Sequence, residues 1–263
     1  MPFLTQPAIE VDIQWTKNDL EQKVKKLGLQ KQQILILINP SQLKGIPKDS
    51  AVQGYFPAIS SFLKPKHVIM DAALSTVQEL GNGFLCECAS LQEVNLSPLS
   101  NVQKVGDGFL SGCSSLKEVD LSPLSNIQKV RDCFLYGCSS LKEVNLSPLS
   151  NVQDVGFNFL FRCSLLKKVD LSSLSNVKKV GNCFLYGCSS LKEVDLSALS
   201  NVQEVGGDFL GGCLLTRVIL PPSPPECLYR AVRSLPCLVD THYGIHPVSK
   251  NRVDSTSGKC GIQ

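Results

Sequence analysis

The chain has 263 residues, of which 43% are hydrophobic and 19% charged, a composition that excludes an intrinsically disordered protein. Its formal net charge of +3 is small and evenly spread, so we expect neither nucleic acid nor an anionic membrane as a partner. The longest apolar run, Ile34–Ile38, is far shorter than the roughly 20 residues that span a bilayer. We see no secretory signal at the start and therefore expect a cytoplasmic protein without a membrane span, with the cell surface as the alternative.

Residues 1–66 predict a small α/β capping region. Apolar residues alternate through Ile9–Trp15 as in a strand, and they recur at helical spacing after a capping box at Thr16–Asp19. Gly28 is placed to end that helix, and Ile34–Ile38 is typical of a buried strand. Such a region is suited to cover the first unit of a repeat array, whose apolar core would otherwise be exposed.

Residues 67–222 contain six near-copies of one 25-residue phrase. The clearest copy, Leu96–Asp120, reads LSPLSNVQKVGDGFLSGCSSLKEVD. The other copies begin at Asp71, Leu121, Leu146, Leu171 and Leu196. A fixed period of this length predicts a stack of identical supersecondary units. The last copy has lost one residue, as the atypical end of an array does.

Each copy predicts one strand of a parallel sheet and a second short extended piece on the opposite side. In Leu116–Leu121, Val119 points inwards while Glu118 and Asp120 point outwards, because side chains alternate along a strand. Val102–Val105 predicts the second extended piece. Gly106 and its equivalents supply a turn, and since Arg131 stands there in one copy, that turn does not require a positive φ.

Eight of the twelve cysteines hold fixed positions in the repeats. Six share one position, namely Cys88, Cys113, Cys138, Cys163, Cys188 and Cys213, and Cys133 and Cys183 share a second. A buried thiol behaves as a small hydrophobic group, so we interpret the six as a column of free thiols that fills a narrow core. Disulfides between neighbouring units are the alternative, because stacked cysteines lie near bonding distance.

The repeat resembles the leucine-rich repeat family, specifically its BspA-like (treponemal-type) class, whose pattern is close to CxxLxxIxLPxxLxxIgxxaFxxC. The matching residues are Cys113, Leu116, Val119, Leu121 and Pro123, followed by Ile127, Val130, Phe134 and Cys138. The unit departs from the family in its greater length, in Phe-Leu where Ala-Phe is usual, and in lacking the asparagine ladder of the commonest leucine-rich repeats. The resemblance implies a β-rich solenoid of about six repeats that serves interaction, often on cell surfaces, without catalysis.

The C-terminal flank predicts a cap and then a tail. Residues 223–240 include a short helix across Glu226–Leu235, which is suited to cover the last unit. Residues 241–263 are polar and lack apolar periodicity, so we expect an unstructured tail there.

Candidate chemical sites are weak. The pairs Cys133/Cys138 and Cys183/Cys188 resemble metal-ligand spacing, but a structural zinc site needs four converging ligands and the repeats contain no histidine. A second cluster has suitable residue types but no zinc signature: Cys227, Cys237, His242, His246 and Cys260. We expect no metal, no cofactor and no catalytic residue. The alternative from another class is the regulatory part of an enzyme with its chemistry in residues 1–66.

The remaining candidate is the outward surface of the repeat strands, where charges form lines. The predicted partner-binding residues are Lys117, Glu118, Asp120, Lys142, Glu143, Asn145, Lys167, Lys168, Asp170, Lys192, Glu193 and Asp195. We expect a monomer that binds a protein partner of unidentified kind through them. A solvated surface that serves solubility is one alternative, and a cell-surface or secreted adhesin-like protein is another.

Overall fold

The computed structural model describes residues 77–241 continuously, together with the segments 8–10, 35–38, 67–70 and 244–247 and a few isolated positions before residue 77. In this part of the chain each repeat forms one rung of a solenoid. We number the rungs 1 to 6 by the copies that begin at Asp71, Leu96, Leu121, Leu146, Leu171 and Leu196. A rung runs through a back strand, a stretch of turns and a front strand, which define the back, turn and front faces of the solenoid.

The strands are short because each rung turns a corner after a few residues. In chain order they are β1 (Ala8–Glu10), β2 (Leu35–Ile38), β3 (His67–Met70), β4 (Glu79–Leu80), β5 (Glu93–Val94), β6 (Lys104–Val105), β7 (Lys129–Val130), β8 (Glu143–Val144), β9 (Asp154–Val155), β10 (Lys168–Val169), β11 (Lys179–Val180), β12 (Glu193–Asp195), β13 (Glu204–Val205), β14 (Arg217–Ile219), β15 (Leu238–Thr241) and β16 (Gly244–Pro247). The back face consists of β4, β6, β7, β9, β11 and β13, and the others belong to the front face. Short 3-10 helices connect front to back at Ser97–Leu99, Ser122–Leu124, Ser147–Leu149, Ser172–Asn176 and Ser197–Asn201.

Neighbouring rungs pair in parallel and in register. Asp154 lies opposite Lys129 on one side and Lys179 on the other, so each pairing is offset by one repeat. The strand that the sequence predicts over Ile34–Ile38 is present as β2. In parallel pairs, β1 joins β2, β2 joins β3, and β3 joins β5. The front sheet of the repeats therefore continues into residues 1–66. The capping box and Gly28 lie outside the described residues.

The C-terminal end combines a helix with two more strands. The α-helix Glu226–Val232 is shorter than predicted and buries Leu228 and Val232. After it, β15 pairs in parallel with β14, and β16 then pairs antiparallel with β15. Within the tail that the sequence predicts to be unstructured, Gly244–Pro247 form β16, and residues 248–263 lie outside the described part of the chain. Pairing with an existing sheet edge holds these strands, which is why apolar periodicity does not reveal them.

The core of the array is built from columns of identical side chains. Six phenylalanines, one from each rung, stack with neighbouring ring centroids 5.1 to 5.9 Å apart, and they are Phe84, Phe109, Phe134, Phe159, Phe184 and Phe209. Offset stacking of this kind adds about 0.5–1.5 kcal/mol per pair beyond the burial of the rings. Each ring therefore stabilises the rungs on either side of it.

The leucine that follows each phenylalanine adopts a left-handed backbone conformation. Leu110 has a φ of 53°, and the equivalent leucines of the other five rungs have φ values between 52° and 56°. A non-glycine residue in this region costs roughly 1–2 kcal/mol. The cost is offset because the leucine side chain is fully buried and its N–H donates to a carbonyl of the preceding rung, as from Leu110 to Phe84 at 2.9 Å. Each rung thus depends on its neighbour for its own conformation.

The six-cysteine column is a ladder of hydrogen bonds as well as a filler. The Cys113 thiol donates to the carbonyl of Leu85 in the preceding rung at 3.1 Å, and the next four cysteines repeat this contact at 3.0 to 3.2 Å. All six are free thiols. Burial raises the pKa of Cys88 and of Cys163 to about 12, so both stay protonated at neutral pH. The thiols therefore satisfy the carbonyls of the left-handed leucines.

Asparagines form a second ladder, which the sequence does not predict. The Asn101 amide donates to the carbonyl of Ser75 at 2.7 Å, and four equivalents repeat the bond at 2.9 to 3.5 Å. Those equivalents are Asn126, Asn151, Asn176 and Asn201. The asparagine ladder of the commonest leucine-rich repeats is absent at its usual position, but this one ties the rungs together just before the back strands.

A single substitution explains an interruption in the back sheet. A Cβ atom on Gly106 would lie 2.5 Å from the Asn82 side chain, so the glycine allows close approach of two rungs without a positive φ. In rung 3 Arg131 takes this position, and β6 and β7 form no strand pair. Gly156 donates its N–H to the carbonyl of Val130 at 2.8 Å, a bond without a counterpart at Arg131 within the described part of the chain. The arginine side chain is paired instead with Asp107, at 3.3 Å.

Candidate interaction surfaces

The front face carries three rows of exposed polar side chains, and all twelve predicted partner-binding residues lie in them. The lysine row is Lys117, Lys142, Lys167 and Lys192. The mixed row is Glu93, Glu118, Glu143, Lys168 and Glu193. The Asx row is Asn95, Asp120, Asn145, Asp170 and Asp195. Buried valines, such as Val119 and Val144, separate the mixed row from the Asx row and hold both at the surface.

The Asx row has a structural role that the sequence does not reveal. The Asp120 carboxylate accepts the backbone N–H of Ser122 at 2.9 Å, and the other four members repeat this contact with the residue two positions on. Hydrogen bonds from the side chain and backbone of Ser122 lower the pKa of Asp120 below its usual value. Because only one oxygen acceptor is needed, Asn and Asp alternate freely in this row. The row forms Asx turns that lead into the 3-10 helices, which leaves the lysine and mixed rows for a partner.

The back face differs from the front face in how its charges are used. Its central row contains Glu79, Lys104, Lys129, Asp154, Lys179 and Glu204. All six form ion pairs between neighbouring rungs, with nitrogen–oxygen distances of 2.6 to 2.7 Å. On the front face no member of the lysine row or the mixed row forms an ion pair within the described part of the chain. Arg217, which pairs with Asp240, marks the end of the front face.

A shallow depression interrupts the front face at rung 2, where residues 117–119 form no strand. Its volume is about 460 Å³, and its lining includes Glu93, Glu118 and Asp120 but no cationic side chain. The lysine row runs beside it. In rung 4, Lys168 stands where the preceding rungs carry glutamate, so the charge of the mixed row changes from negative to positive there. The two ends of the front face therefore differ in charge.

The turn face contains residues that the sequence did not single out. Tyr136, Phe161 and Tyr186 stack with ring centroids 4.8 and 5.1 Å apart, outside the buried phenylalanine column. In rung 4 the same face exposes Phe157 and Leu165. Comparing the copies position by position would have identified Phe157 and Leu165, because the neighbouring rungs carry small or polar residues at these two positions.

The profile of the BspA type leucine rich repeat region, in six copies, matches residues 70–156 and 124–228, which together are more than half of the chain. The chain belongs to the BspA type leucine rich repeat family. Arrays of this kind are generally noncatalytic scaffolds whose extended surfaces serve protein–protein interaction. The resemblance that the sequence carries is thereby confirmed, and so is the β-rich solenoid that it implies.

Two solved structures resemble this BspA type array. One is the crystal structure of a T. pallidum leucine rich repeat protein, 21% identical in sequence, with 68% of this chain and 87% of that chain covered and a TM-score of 0.43. The other is a TLR13–ssRNA13 complex, 12% identical, with 89% of this chain and 50% of that chain covered and a TM-score of 0.17. No curated protein sequence matches significantly.

The BspA type repeats bring no metal-binding group together within the described residues. Cys133 and Cys138 belong to different columns of the solenoid, so the sequence spacing that resembles a metal motif does not bring the two thiols together. Cys227 and Cys237 are half-buried free thiols near the C-terminal helix, while His242 and Cys260 lie outside the described residues. No helix among the described residues is long and apolar enough to cross a bilayer. The alternative hypothesis places enzymatic chemistry in residues 1–66, and most of these also lie outside the described residues.

Proposed function

We propose that the protein binds a protein partner, without catalysis, through the lysine row and the mixed row of its front face. The observation that carries this proposal is the contrast between the two sheet faces. The charges of the back-face row are paired within the chain, whereas those of the front-face rows have no such partner among the described residues.

The charges of the lysine row repel one another in the isolated chain. The lysine row places like charges on four successive rungs, which lie about 4.8 Å apart, and like charges directly opposite each other in a sheet are destabilising. A partner of complementary charge relieves this repulsion when it binds. Because Glu118 and Glu143 lie beside the lysines, complementarity needs a partner with neighbouring acidic and basic groups. Repetition of these rows from rung to rung favours a partner with a repetitive surface or several binding segments.

Two further expectations remain proposals. One is a monomer in the cytoplasm: the six free thiols of the ladder fit a reducing compartment, while Cys183 is disulfide-bonded and fits an oxidising one. A partner other than nucleic acid is supported by the small net charge of +3 and by the carboxylates next to the lysine row.

The proposal is tested by comparing captured partners between two variants of the full chain. The front-face variant carries Glu118→Lys, Glu143→Lys and Glu193→Lys. The control exchanges one back-face pair, Lys129→Glu with Asp154→Lys, which keeps the ion pair and the net charge. Quantitative mass spectrometry of affinity captures should show partners lost by the front-face variant and kept by the control. Identical partner sets for the wild type and the front-face variant would exclude this face.

A further inference from the structure

Rung 4 differs from its neighbours on the turn face at two exposed positions. Phe157 is 49% exposed and Leu165 is 46% exposed. The equivalent residues of rung 5 are Asn182 and Ser190, so the repeat does not need an apolar side chain at either place. Large apolar side chains exposed on the turn stretch of a single rung are candidates for a contact surface.

A third change in the same rung introduces a cation at a sequence position between these two residues. Arg162 stands where rungs 3 and 5 have Gly137 and Gly187, and it adopts a left-handed φ of 55°. Glycine suits that conformation, while a side chain there costs on the order of 1 kcal/mol. The stem of Arg162 lies against Gly187, where a Cβ atom would be 3.1 Å from the arginine Cγ. The glycine that most rungs carry at this position therefore leaves room in rung 5 for the arginine stem.

Arg162 is available to a ligand. Arg131, Arg217 and Arg230 each pair with a carboxylate, whereas Arg162 has no carboxylate partner within the described part of the chain. Its guanidinium lies 5.3 Å from the centroid of the Phe161 ring. A shallow depression of about 450 Å³ surrounds it, lined otherwise by Gly137, Ser139, Ser164 and Gly187. The small neighbours leave room for an acidic side chain to reach the guanidinium.

We propose that Phe157, Arg162 and Leu165 form a second docking surface, separate from the front face, for a partner-protein segment in which apolar side chains flank a carboxylate. The carboxylate pairs with the Arg162 guanidinium, whose planar fork suits two parallel hydrogen bonds. The apolar side chains cover Phe157 and Leu165, which stand on either side of Arg162 in the sequence of the rung. Aromatic residues and arginine are also the types that carry most binding energy at protein interfaces. A single cation between apolar groups favours a peptide over a polyanion, which needs several cations.

The test uses the full chain with three substitutions, Phe157→Asn, Arg162→Gly and Leu165→Ser. Each introduced residue is the one that rung 5 carries at the same position, so the variant keeps a sequence that folds in the array. Arg162→Gly also removes a side chain from a left-handed position, so the unfolding midpoint should stay unchanged or rise. The front-face variant described above is the matched control, because it leaves the turn face intact.

Three short fluorescent peptides serve as probes: one that alternates Leu or Phe with Glu, one with Lys in place of Glu, and one with Ser in place of the apolar residues. Fluorescence anisotropy should show the first binding wild type and control about tenfold more tightly than the other two, with about a tenfold loss in the triple variant. Absence of binding by the first peptide, or equal binding to the triple variant, would overturn the proposal. So would a dimer in sedimentation velocity that the triple substitution abolishes, since this would assign the surface to a second copy.

Discussion

Replacing Cys163 separates the two roles of the thiol ladder. The side chain is fully buried and donates to the carbonyl of Leu135 at 3.2 Å. Cys163→Ala removes the sulfur, which should cost about 1 kcal/mol for lost burial and cavity together. It also removes the thiol bond to the Leu135 carbonyl, which keeps only a long 3.4 Å bond from the Cys138 N–H, a further loss of about 1 kcal/mol. The expected destabilisation is therefore about 2 kcal/mol.

Cys163→Ser should cost less than Cys163→Ala, because the hydroxyl keeps a donor beside the same carbonyl. A filler without a hydrogen-bonding role predicts the opposite order, since burying an unpaired hydroxyl costs about 1–3 kcal/mol. Val177 provides the matched control. It is fully buried, and its side chain has no hydrogen-bonding group. At Val177 we therefore expect serine to be more destabilising than alanine.

Urea unfolding followed by far-ultraviolet circular dichroism measures all four variants, with the midpoint compared at constant slope. The decisive quantity is the difference in unfolding midpoint between serine and alanine at each position, whose sign should reverse between Cys163 and Val177. If serine is the more destabilising residue at both positions, the thiols act as filler alone and the hydrogen-bond ladder contributes nothing measurable.

Three further predictions follow from the same columns. Burial raises the pKa of Cys88 and Cys163 to about 12 from the 9.0 of an ordinary thiol, so these thiols ionise first in the unfolded chain. The stability that the buried thiols contribute is complete below pH 9 and should fall as the pH rises towards 12, which denaturant midpoints across this window measure. In hydrogen exchange the Arg131 amide should exchange faster than the Gly156 amide, and equal protection would contradict the interrupted back sheet. Asp170→Ala should lower the free energy of unfolding by about 1 kcal/mol while Asp170→Asn leaves it unchanged, as read from urea midpoints, and equal losses would refute the role of this side chain in the turn.

Sequence reasoning succeeded where the structure depends on local periodicity. Val119 is buried and Glu118 exposed because side chains of an extended strand alternate, a rule that needs no knowledge of the neighbouring rung. The thiol and asparagine ladders were missed because their acceptors are backbone carbonyls 26 or 28 residues away. The stacking of rungs sets those contacts. The effect of Arg131 was missed for the same reason, since the glycine it replaces matters only through close approach between rungs.

The candidate site shows the same division. The exposure of the front-face rows follows from strand alternation, but the ion pairs that distinguish the back face depend on which rungs face each other. The choice between the two faces therefore needed the structure. The recognition of Leu165 and Arg162 as surface residues needed the structure as well, because the identity of a residue does not reveal whether it lies in a column of small side chains or in the core.

The left-handed leucines make each rung thermodynamically incomplete by itself. In a nearest-neighbour description of the array, the intrinsic free energy of a rung is unfavourable and the interface between rungs supplies the stability. Strong coupling of this kind favours unfolding of several rungs together over fraying of one. It also restricts how the chain can change in length. Contacts at offsets of 25, 26 and 28 residues remain in register only when a complete 25-residue unit is added or removed. Duplication of whole rungs is thus the natural way for this array to lengthen.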